Sequence, residues 1–242
     1  MKILRIKGFT LAEVLITLAI IGVVAALTIP SIIANNQKKE FETGFAKAYR
    51  TLTQAIMLSQ AENGELTDWP WETTTNGTKL VAFIETYILP YFNVVKNCKF
   101  EANKGCWASG YAQYLKTGNW FNVDATTNYY KFTTADGMSW VIWYDSSSCV
   151  TNKKRCAVIH VDTNGKKPPY TIGMDVFAFD LYPITNEILP HGVYNYQTAY
   201  NETTKEYTRR TQSDIDSECS KTGNGWYCAA KIVADGFKIN YL

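Results

Sequence analysis

The chain has 242 residues, of which 46% are hydrophobic and 14% aromatic, and its formal net charge is +2. This near-neutral balance gives no electrostatic argument that the whole chain binds nucleic acid, so we expect no nucleic-acid partner. The length suits one long helix followed by one globular domain.

The first 30 residues divide into a short basic leader and an apolar run. Three basic side chains precede Gly8, and residues 9–29 contain a single ionisable side chain, Glu13. As a helix this run would extend roughly 31 Å, which matches the hydrocarbon core of a bilayer. A carboxylate inside a spanning helix costs roughly 2.5–3.5 kcal/mol. We therefore expect Glu13 to have a partner, and cleavage before Phe9 would supply an α-ammonium group.

The residues around Gly8 resemble the cleavage and methylation site of type IV pilins and of the pseudopilins of type II secretion. The matching string, residues 8–15, reads Gly-Phe-Thr-Leu-Ala-Glu-Val-Leu. The resemblance implies that a prepilin peptidase cuts after Gly8 and methylates the amine of Phe9. It also implies that Glu13 pairs with the Phe9 amine of a neighbouring homologous subunit when the inner-membrane assembly platform builds a filament.

Two other interpretations of this segment remain open. A secretory signal peptide also begins with a basic region and an apolar core, and Ala25 and Ala26 would mimic its cleavage site. Its core is usually only about 7–15 residues long, however, and it explains neither Gly8 nor Glu13. An uncleaved membrane anchor explains the length of the run but not the glutamate.

Flanking charge predicts the orientation of the span. The leader carries three Lys or Arg residues, against Lys38 and Lys39 on the far side. This bias favours a cytoplasmic N-terminus. We therefore predict a single-pass protein of the bacterial inner membrane with its domain outside, which later enters a cell-surface or periplasmic filament.

Six cysteines fall in three close pairs without the spacing of zinc or redox sites. The pairs are Cys98 with Cys106, Cys149 with Cys156, and Cys219 with Cys228. An even number behind an export signal predicts disulfides in an oxidising compartment. Six cysteines allow 15 pairings, and short loops are the easiest to close, so we predict the three sequential pairs. Metal ligation by these thiols is the alternative.

The helix is predicted to continue beyond the membrane. Pro30 ends the apolar run and favours a kink, and Asn63 and Gly64 form a stop signal. Between them, apolar residues recur at helical spacing at Phe41, Phe45, Tyr49, Leu52 and Ile56. We assign residues 9–30 to a transmembrane and assembly helix and 31–64 to its amphipathic continuation. Gly44, inside this part, marks a flexible or closely packed point.

Residues 65–242 are predicted to form an extracytoplasmic, disulfide-stapled domain. Residues 65–78 form a loop with a threonine run and Asn76, and a short helix follows at about residues 80–90. Residues 138–144 and 156–161 form a hairpin, residues 176–182 a third strand, and residues 226–235 a helix capped by Gly236 before an extended end. The fold class is α+β, as in pilin-like folds, with the long helix packed on an antiparallel sheet.

One loop has oxygen ligands of the kind that calcium prefers. Asp162, Asn164 and Asp175 lie around glycine turns between the second and third predicted strands. Several pseudopilins and minor pilins resemble this in holding calcium in such a loop. The alternative is an Asn-Gly turn in which Asp162 and Asp175 accept turn and cap hydrogen bonds. Apart from this calcium hypothesis, we expect no cofactor.

We predict that the domain is not an enzyme. The chain has two histidines: His160 lies in a predicted strand, which favours a structural role, and His191 lies in a turn, which favours solvation. There is no recognisable nucleophile context, phosphate-binding loop or carboxylate pair.

The sequence thus favours a structural subunit, a major or minor pilin or pseudopilin that polymerises through its helix. The alternative is a minor, tip-located binding module for adhesion, DNA uptake or recognition of a secretion substrate. Lys153, Lys154 and Arg155 in the hairpin loop would then touch an anionic partner, although such a charge run is more often a solvated face.

Overall fold

The computed structural model describes residues 8–71, 77–145, 148–198 and 200–242. The leader residues 1–7, and the threonine run with Asn76 of the predicted loop, lie outside the described residues. The chain divides into two compact units, Met1–Glu40 and Phe41–Leu242.

Helix α1, Leu11–Asn63, follows the predicted helix closely and contains Pro30 in its interior. Between Leu11 and Ile33 its large apolar side chains are exposed. Within the described residues, this is the one helix that is long and apolar enough to cross a membrane. Its apolar surface there needs lipid or another helix to cover it.

The second unit contains the end of α1, three shorter helices and six strands among its described residues. The helices are α2 (Thr78–Tyr87), α3 (Gln212–Glu218) and α4 (Cys228–Ala234). The strands are β1 (Val94–Lys99), β2 (Tyr130–Thr134), β3 (Ser139–Tyr144), β4 (Ala157–Asp162), β5 (Val176–Tyr182) and β6 (Glu187–Pro190). They form one sheet in the order β1-β2-β3-β4-β5-β6, in which each pair of neighbours is antiparallel. The predicted α+β class is confirmed.

The three predicted strands form the centre of this sheet. β3 and β4 make the predicted hairpin, with Trp140 opposite Val161 and Ile142 opposite Ile159. β5 then pairs with β4 over residues 176–182, the range predicted for the third strand. The alternating apolar pattern therefore identified both the strands and their neighbours. The sequence did not predict β1, β2, β6 or α3.

The first face of the sheet packs against the end of α1. From this helix, Phe45, Ala48 and Leu52 are fully buried in one cluster with the first-face residues of the strands. Phe45 lies edge-on to Phe177, with ring centroids 4.8 Å apart. A Cβ atom on Gly44 would lie 3.1 Å from Cβ of Thr163, so this glycine is a closely packed point between α1 and the loop after β4.

The second face of the sheet is also covered, which the sequence did not predict. β4 and β5 are buried at every position, so both of their faces are covered. A second cluster includes Trp107, Val123, Val141 and Val176, and it joins this face to the segment between β1 and β2. The Nζ atom of Lys131 reaches the same segment and donates to the Asp124 carbonyl at 3.3 Å. Irregular chain therefore forms a second layer on the sheet.

The last part of the chain is held by local caps and by a contact with α1. Helix α3 begins with a capping box between Thr211 and Asp214. Helix α4 ends as predicted at Gly236, which has a φ of +68° and donates to the Val233 carbonyl. The extended end that follows returns to the start of the second unit, where Ile239 N–H donates to Glu42 Oε1 at 2.9 Å.

Candidate functional site

The N-terminus of α1 has a local capping arrangement around Glu13. Glu13 Oε2 accepts hydrogen bonds from the backbone N–H and the hydroxyl of Thr10, both at 2.8 Å. In return Thr10 Oγ1 accepts from the backbone N–H of Glu13 at 3.3 Å. This reciprocal pattern satisfies donors that every helix start leaves unpaired. Gly8 and Phe9 lie just before it, and Phe9 is 87% exposed.

This arrangement adds to the sequence interpretation of Glu13. Thr10 is a neutral partner of Glu13 in addition to the charged partner expected from the sequence, and a threonine three residues before a glutamate is a start signal for helices. Thr10 fixes the carboxylate beside the first turn of α1. The peptide bond between Gly8 and Phe9 precedes this turn directly, so an amine formed there would be created close to a positioned carboxylate.

All six cysteines lie in described residues and form three disulfides. Cys98 is joined to Cys106, Cys149 to Cys156, and Cys219 to Cys228, the sequential pairing, and no cysteine is free. The bridges close loops with sequence separations of only 7 to 9 residues. With every thiol used in this way, these cysteines are not metal ligands.

The three predicted calcium ligands lie together in the loop that follows β4. Asp162 Oδ1 accepts from the backbone N–H of Asn164 at 3.3 Å. The two oxygens of Asp175 accept from the backbone N–H groups of Tyr170 and Thr171, at 2.9 and 2.6 Å. These are the turn and cap hydrogen bonds of the alternative interpretation.

Two oxygens of this loop are buried without a hydrogen-bond partner, namely Asp162 Oδ2 and Asn164 Oδ1. Burial and the nearby charge of Asp175 raise the pKa of Asp162 to about 9. Burial also raises the pKa of Asp175 to about 6, against the effect of its backbone hydrogen bonds. A cation would favour both carboxylates in their charged form, and oxygen donors fit calcium. No described group of three His, Cys, Asp or Glu side chains is placed to hold a metal ion, so calcium here stays a prediction.

A buried charge network lies beside the β3–β4 loop. Arg155 is 3% exposed and donates to Asp145 Oδ2 from Nε at 3.0 Å and from one terminal nitrogen at 2.8 Å. Its other terminal nitrogen donates to Asp180 Oδ1 at 3.1 Å. His191 Nδ1 lies 2.9 Å from both oxygens of Asp180. Burial alone would raise the pKa of Asp180, but the charges of His191 and Arg155 lower it below its usual value.

The network corrects two sequence interpretations. We expected a solvated His191, but it is 8% exposed because its turn folds back onto β5, where its backbone N–H donates to the Ala178 carbonyl. Arg155 ends the basic run in the hairpin loop, yet it points inward to two carboxylates and is not a surface charge. Lys153 instead forms an exposed ion pair with Glu202.

His160 lies close to this network on the second face of the sheet. It is 4% exposed, and burial lowers its pKa to about 3, so the imidazole is neutral at physiological pH. Its Nδ1 atom is buried and has no hydrogen-bond partner. A histidine in a strand lies either in the core or on the surface, and His160 lies in the core with one of its polar atoms unsatisfied.

Two families match this chain, and together they cover nearly all of it. A family of unknown function, DUF6613, matches residues 31–241. The chain belongs to this family. The prokaryotic N-terminal methylation motif matches residues 3–29, so the chain carries the prepilin-type cleavage and methylation motif of type IV pilins and pseudopilins. No curated protein and no solved structure matches the chain.

The two matches separate the candidate sites. The methylation motif contains Gly8, Phe9 and the capping pair of Thr10 and Glu13. The DUF6613 region contains the whole sheet, the disulfides, the Asp162 loop and the buried network around Arg155. This DUF6613 protein therefore combines an N-terminal methylation motif with a domain that contains a buried polar network.

Proposed function

We propose that this chain is a pilin or pseudopilin subunit that is cut between Gly8 and Phe9, methylated at Phe9, and polymerised through α1. The methylation motif supports a type IV pilin-like or pseudopilin subunit. The single observation that carries the finer proposal is the position of Glu13. Its carboxylate is held at the start of an exposed apolar helix, one turn from the peptide bond to be cut.

The proposed division of the chain follows from exposure and length. Residues 1–8 are the leader, 9–30 the membrane and assembly helix, 31–64 its continuation, and 65–242 the domain outside the membrane. Apolar side chains such as Leu15, Leu18 and Ile21 are about 60% exposed. Before assembly lipid covers them, and in the filament the helices of neighbouring subunits do so.

The charge of Glu13 favours helix assembly in a fixed axial register. The amine of a mature Phe9 carries a positive charge, and a carboxylate in hydrocarbon is stabilised by pairing with one. Thr10 holds the carboxylate in place but donates only neutral hydrogen bonds, so the charge is still uncompensated. A neighbouring subunit whose Phe9 amine reaches Glu13 removes this cost and sets the axial shift between helices.

The outer face of the second half of α1 also suits contacts between subunits. Met57 is 63% exposed and Leu58 is 48% exposed, and with Tyr49 and Phe237 they line a shallow apolar groove. Exposed apolar side chains that are contiguous mark interaction surfaces more often than isolated ones. In a filament this face is covered by adjacent subunits.

Intact mass tests the processing step. The chain is expressed with and without a prepilin peptidase, and its mass is measured after membrane extraction. We expect a species that begins at Phe9 and carries one additional methyl group only when the peptidase is present. Gly8→Val is the control and should stay full length. A full-length wild-type chain, or one cut near Ala25, would reject the proposal.

A matched pair of variants tests the role of Glu13 in assembly. Glu13→Gln keeps an acceptor for Thr10 but removes the charge. Thr10→Ala removes the two hydrogen bonds of the threonine hydroxyl but keeps the charge and the backbone N–H contact. We expect both to be cleaved and only Glu13→Gln to be lost from sheared or cross-linked filaments. If Thr10→Ala loses assembly equally, capping and not the ion pair is what assembly requires.

Scoring surface filaments and secreted proteins in a deletion strain distinguishes pilus from secretion pseudopilus.

The second candidate function is that of a minor, tip-located binding subunit. The observation that favours it is a cavity of about 350 Å³ on the second face of the sheet, whose lining includes Trp120, His160 and Trp226. The DNA-uptake version is not favoured, because Arg155 is buried against two carboxylates and Lys153 is paired with Glu202. Retention of the protein on DNA at low salt tests that version directly.

A further inference from the structure

A cavity of about 350 Å³ opens between the sheet and its second layer. β4 supplies Val158 and His160, and β3 and the loop after it supply Trp143 and Asp145. The remaining wall comes from the segment before β2 and from the segments after β6. Three tryptophans and three tyrosines line it: Trp120, Tyr129, Trp143, Tyr196, Trp226 and Tyr227.

The aromatic rings that line the cavity lie at steep angles to one another. Trp120 and Trp226 meet at 86° with centroids 4.8 Å apart, and His160 lies 5.5 and 5.7 Å from these two rings. All six aromatic residues are intermediate in exposure, so each leaves part of its ring uncovered. Pockets of this size with amphipathic aromatic walls are typical of small-ligand sites.

The polar atoms of the pocket are set for hydrogen bonding to a ligand. His160 lines the cavity, and its Nδ1 atom is buried in the wall without a hydrogen-bond partner, so a ligand hydroxyl bonds to it once the adjacent rings shift. An unsatisfied buried polar atom costs free energy, and a ligand hydroxyl that reaches it removes that cost. On the other side, Asp145 and Arg155 line the cavity with further acceptors and donors.

The charges around the pocket favour a neutral ligand. Among the lining residues, Asp145 and Arg155 are bonded to each other, so their charges are mutually compensated. The guanidinium groups of Arg155 and Arg210 lie 4.5 and 5.6 Å from the ring centre of Tyr196. A cationic ligand would therefore compete with guanidinium groups for an aromatic face, and an anionic ligand would face the Asp145 carboxylate.

We propose that this pocket binds a neutral saccharide, with ring C–H faces against the tryptophan and tyrosine rings and hydroxyls on His160, Asp145 and Arg155. The tilted walls suit a puckered ring that presents C–H groups in several directions. The volume lies near the lower end of the range of about 300–1,000 Å³ for small-ligand sites, which suits a mono- or disaccharide. This inference goes beyond the assembly function and does not depend on it.

The test uses the full chain in micelles of a polyoxyethylene ether, because glycoside detergents would occupy the site. Glucose, galactose, mannose, N-acetylglucosamine and their disaccharides are titrated against tryptophan fluorescence and by calorimetry. We expect at least one sugar to bind with a Kd below about 10 mM. The same sugar should protect tryptophan fluorescence from acrylamide quenching, a readout that needs no variant.

Three variants and one control locate the binding site. Trp143→Ala and Tyr196→Ala each remove one aromatic ring from the lining of the cavity. His160→Phe keeps a ring but removes the unpartnered nitrogen. Each is expected to weaken binding by about tenfold or more, as aromatic anchors of binding sites do. Tyr111→Ala is the matched control, because Tyr111 is 58% exposed and lies outside the pocket lining. It should bind as the wild type does.

Three results would overturn the proposal. The first is that no sugar of the panel binds or protects. The second is that sugar binding is unchanged in Trp143→Ala and His160→Phe, which would place it elsewhere. The third is that indole or tetramethylammonium binds in a pocket-dependent manner while sugars do not. A failure of peptidase processing would leave sugar binding intact, so failures of the two proposals are distinguishable.

Discussion

Replacing Arg155 by methionine should strongly destabilise the second unit. Arg155 is 3% exposed and bridges Asp145 and Asp180, and Asp180 is itself 1% exposed. Without the guanidinium, Asp180 keeps its contact with His191 but loses its permanently charged partner, in a position where water does not reach it. The substitution therefore leaves a buried carboxylate poorly compensated.

The expected cost is about 3–5 kcal/mol in the free energy of unfolding, the usual result of removing one partner of a buried ion pair. Adding Asp180→Asn to Arg155→Met removes the stranded charge. The double variant should therefore lose less free energy of unfolding than the two single variants lose in sum. The difference, the coupling energy, should be about 1–3 kcal/mol.

The pH dependence has a definite sign. In the wild type the pKa of Asp180 is below its usual value, so its contribution is present at neutral pH and is lost as pH falls through that lowered pKa. In Arg155→Met the charge and hydrogen bond of Arg155 no longer lower the pKa of Asp180, while burial and His191 remain, so this pKa is higher than in the wild type. The variant then regains stability relative to the wild type as pH falls from 7 towards 4.

Urea unfolding monitored by tryptophan fluorescence, at pH 7 and 4.5 with disulfides intact, measures these differences. Lys153→Met is the control in the same loop, since Lys153 forms an exposed pair with Glu202 and should cost less than about 1 kcal/mol. The reasoning is refuted if Arg155→Met costs no more than Lys153→Met, or if the two network substitutions are additive.

Three further predictions concern the loops of the domain. Gly165→Ala should lower the free energy of unfolding by about 2 kcal/mol or more, because φ is +70° and a Cβ atom would lie 2.2 Å from the Gly137 carbonyl oxygen. An unfolding temperature equal to that of the wild type would contradict this. Replacing Cys98 and Cys106 by serine should lower the free energy of unfolding by about 2–3 kcal/mol through loop-closure entropy. Urea unfolding against the oxidised wild type measures this loss, and an unchanged midpoint would contradict it. Calcium added to metal-free protein should raise the unfolding temperature of the wild type but not that of Asp162→Asn. The calcium hypothesis is rejected if both proteins shift equally or if neither shifts.

Local patterns predicted the regular parts of the fold well. The stripe from Phe41 to Ile56 identified the packed end of α1, and alternation over residues 176–182 identified β5. Elements with mixed composition were missed. β2 carries a fully buried lysine, Lys131, whose burial is offset by hydrogen bonds to backbone carbonyls of the preceding irregular segment, and side-chain polarity alone does not reveal such partners. β6 has only four residues and ends in Pro190, so it has too little pattern to detect.

The two candidate sites differ in how far the sequence could reveal them. The methylation motif lies within a few consecutive residues, so Gly8, Phe9 and Glu13 are recognisable without a structure. The pocket draws its wall from residues between Trp120 and Tyr227, and only the fold brings these positions together. His191 looked solvated because its Pro-His-Gly context predicts a turn, and a local pattern does not indicate what a turn folds against.

The positions of the disulfides make the pocket dependent on the compartment. Cys149–Cys156 adjoins Arg155, and Cys219–Cys228 links α3 to α4 directly after Tyr227. The core between α1 and the first face of the sheet contains no cysteine of these two bridges. Under reducing conditions the sheet and its helix keep their packing while the pocket walls lose their covalent ties. We therefore predict that reduction of these two bridges weakens the proposed sugar binding more than it weakens the packing of the sheet on α1, which titration with and without a reductant measures.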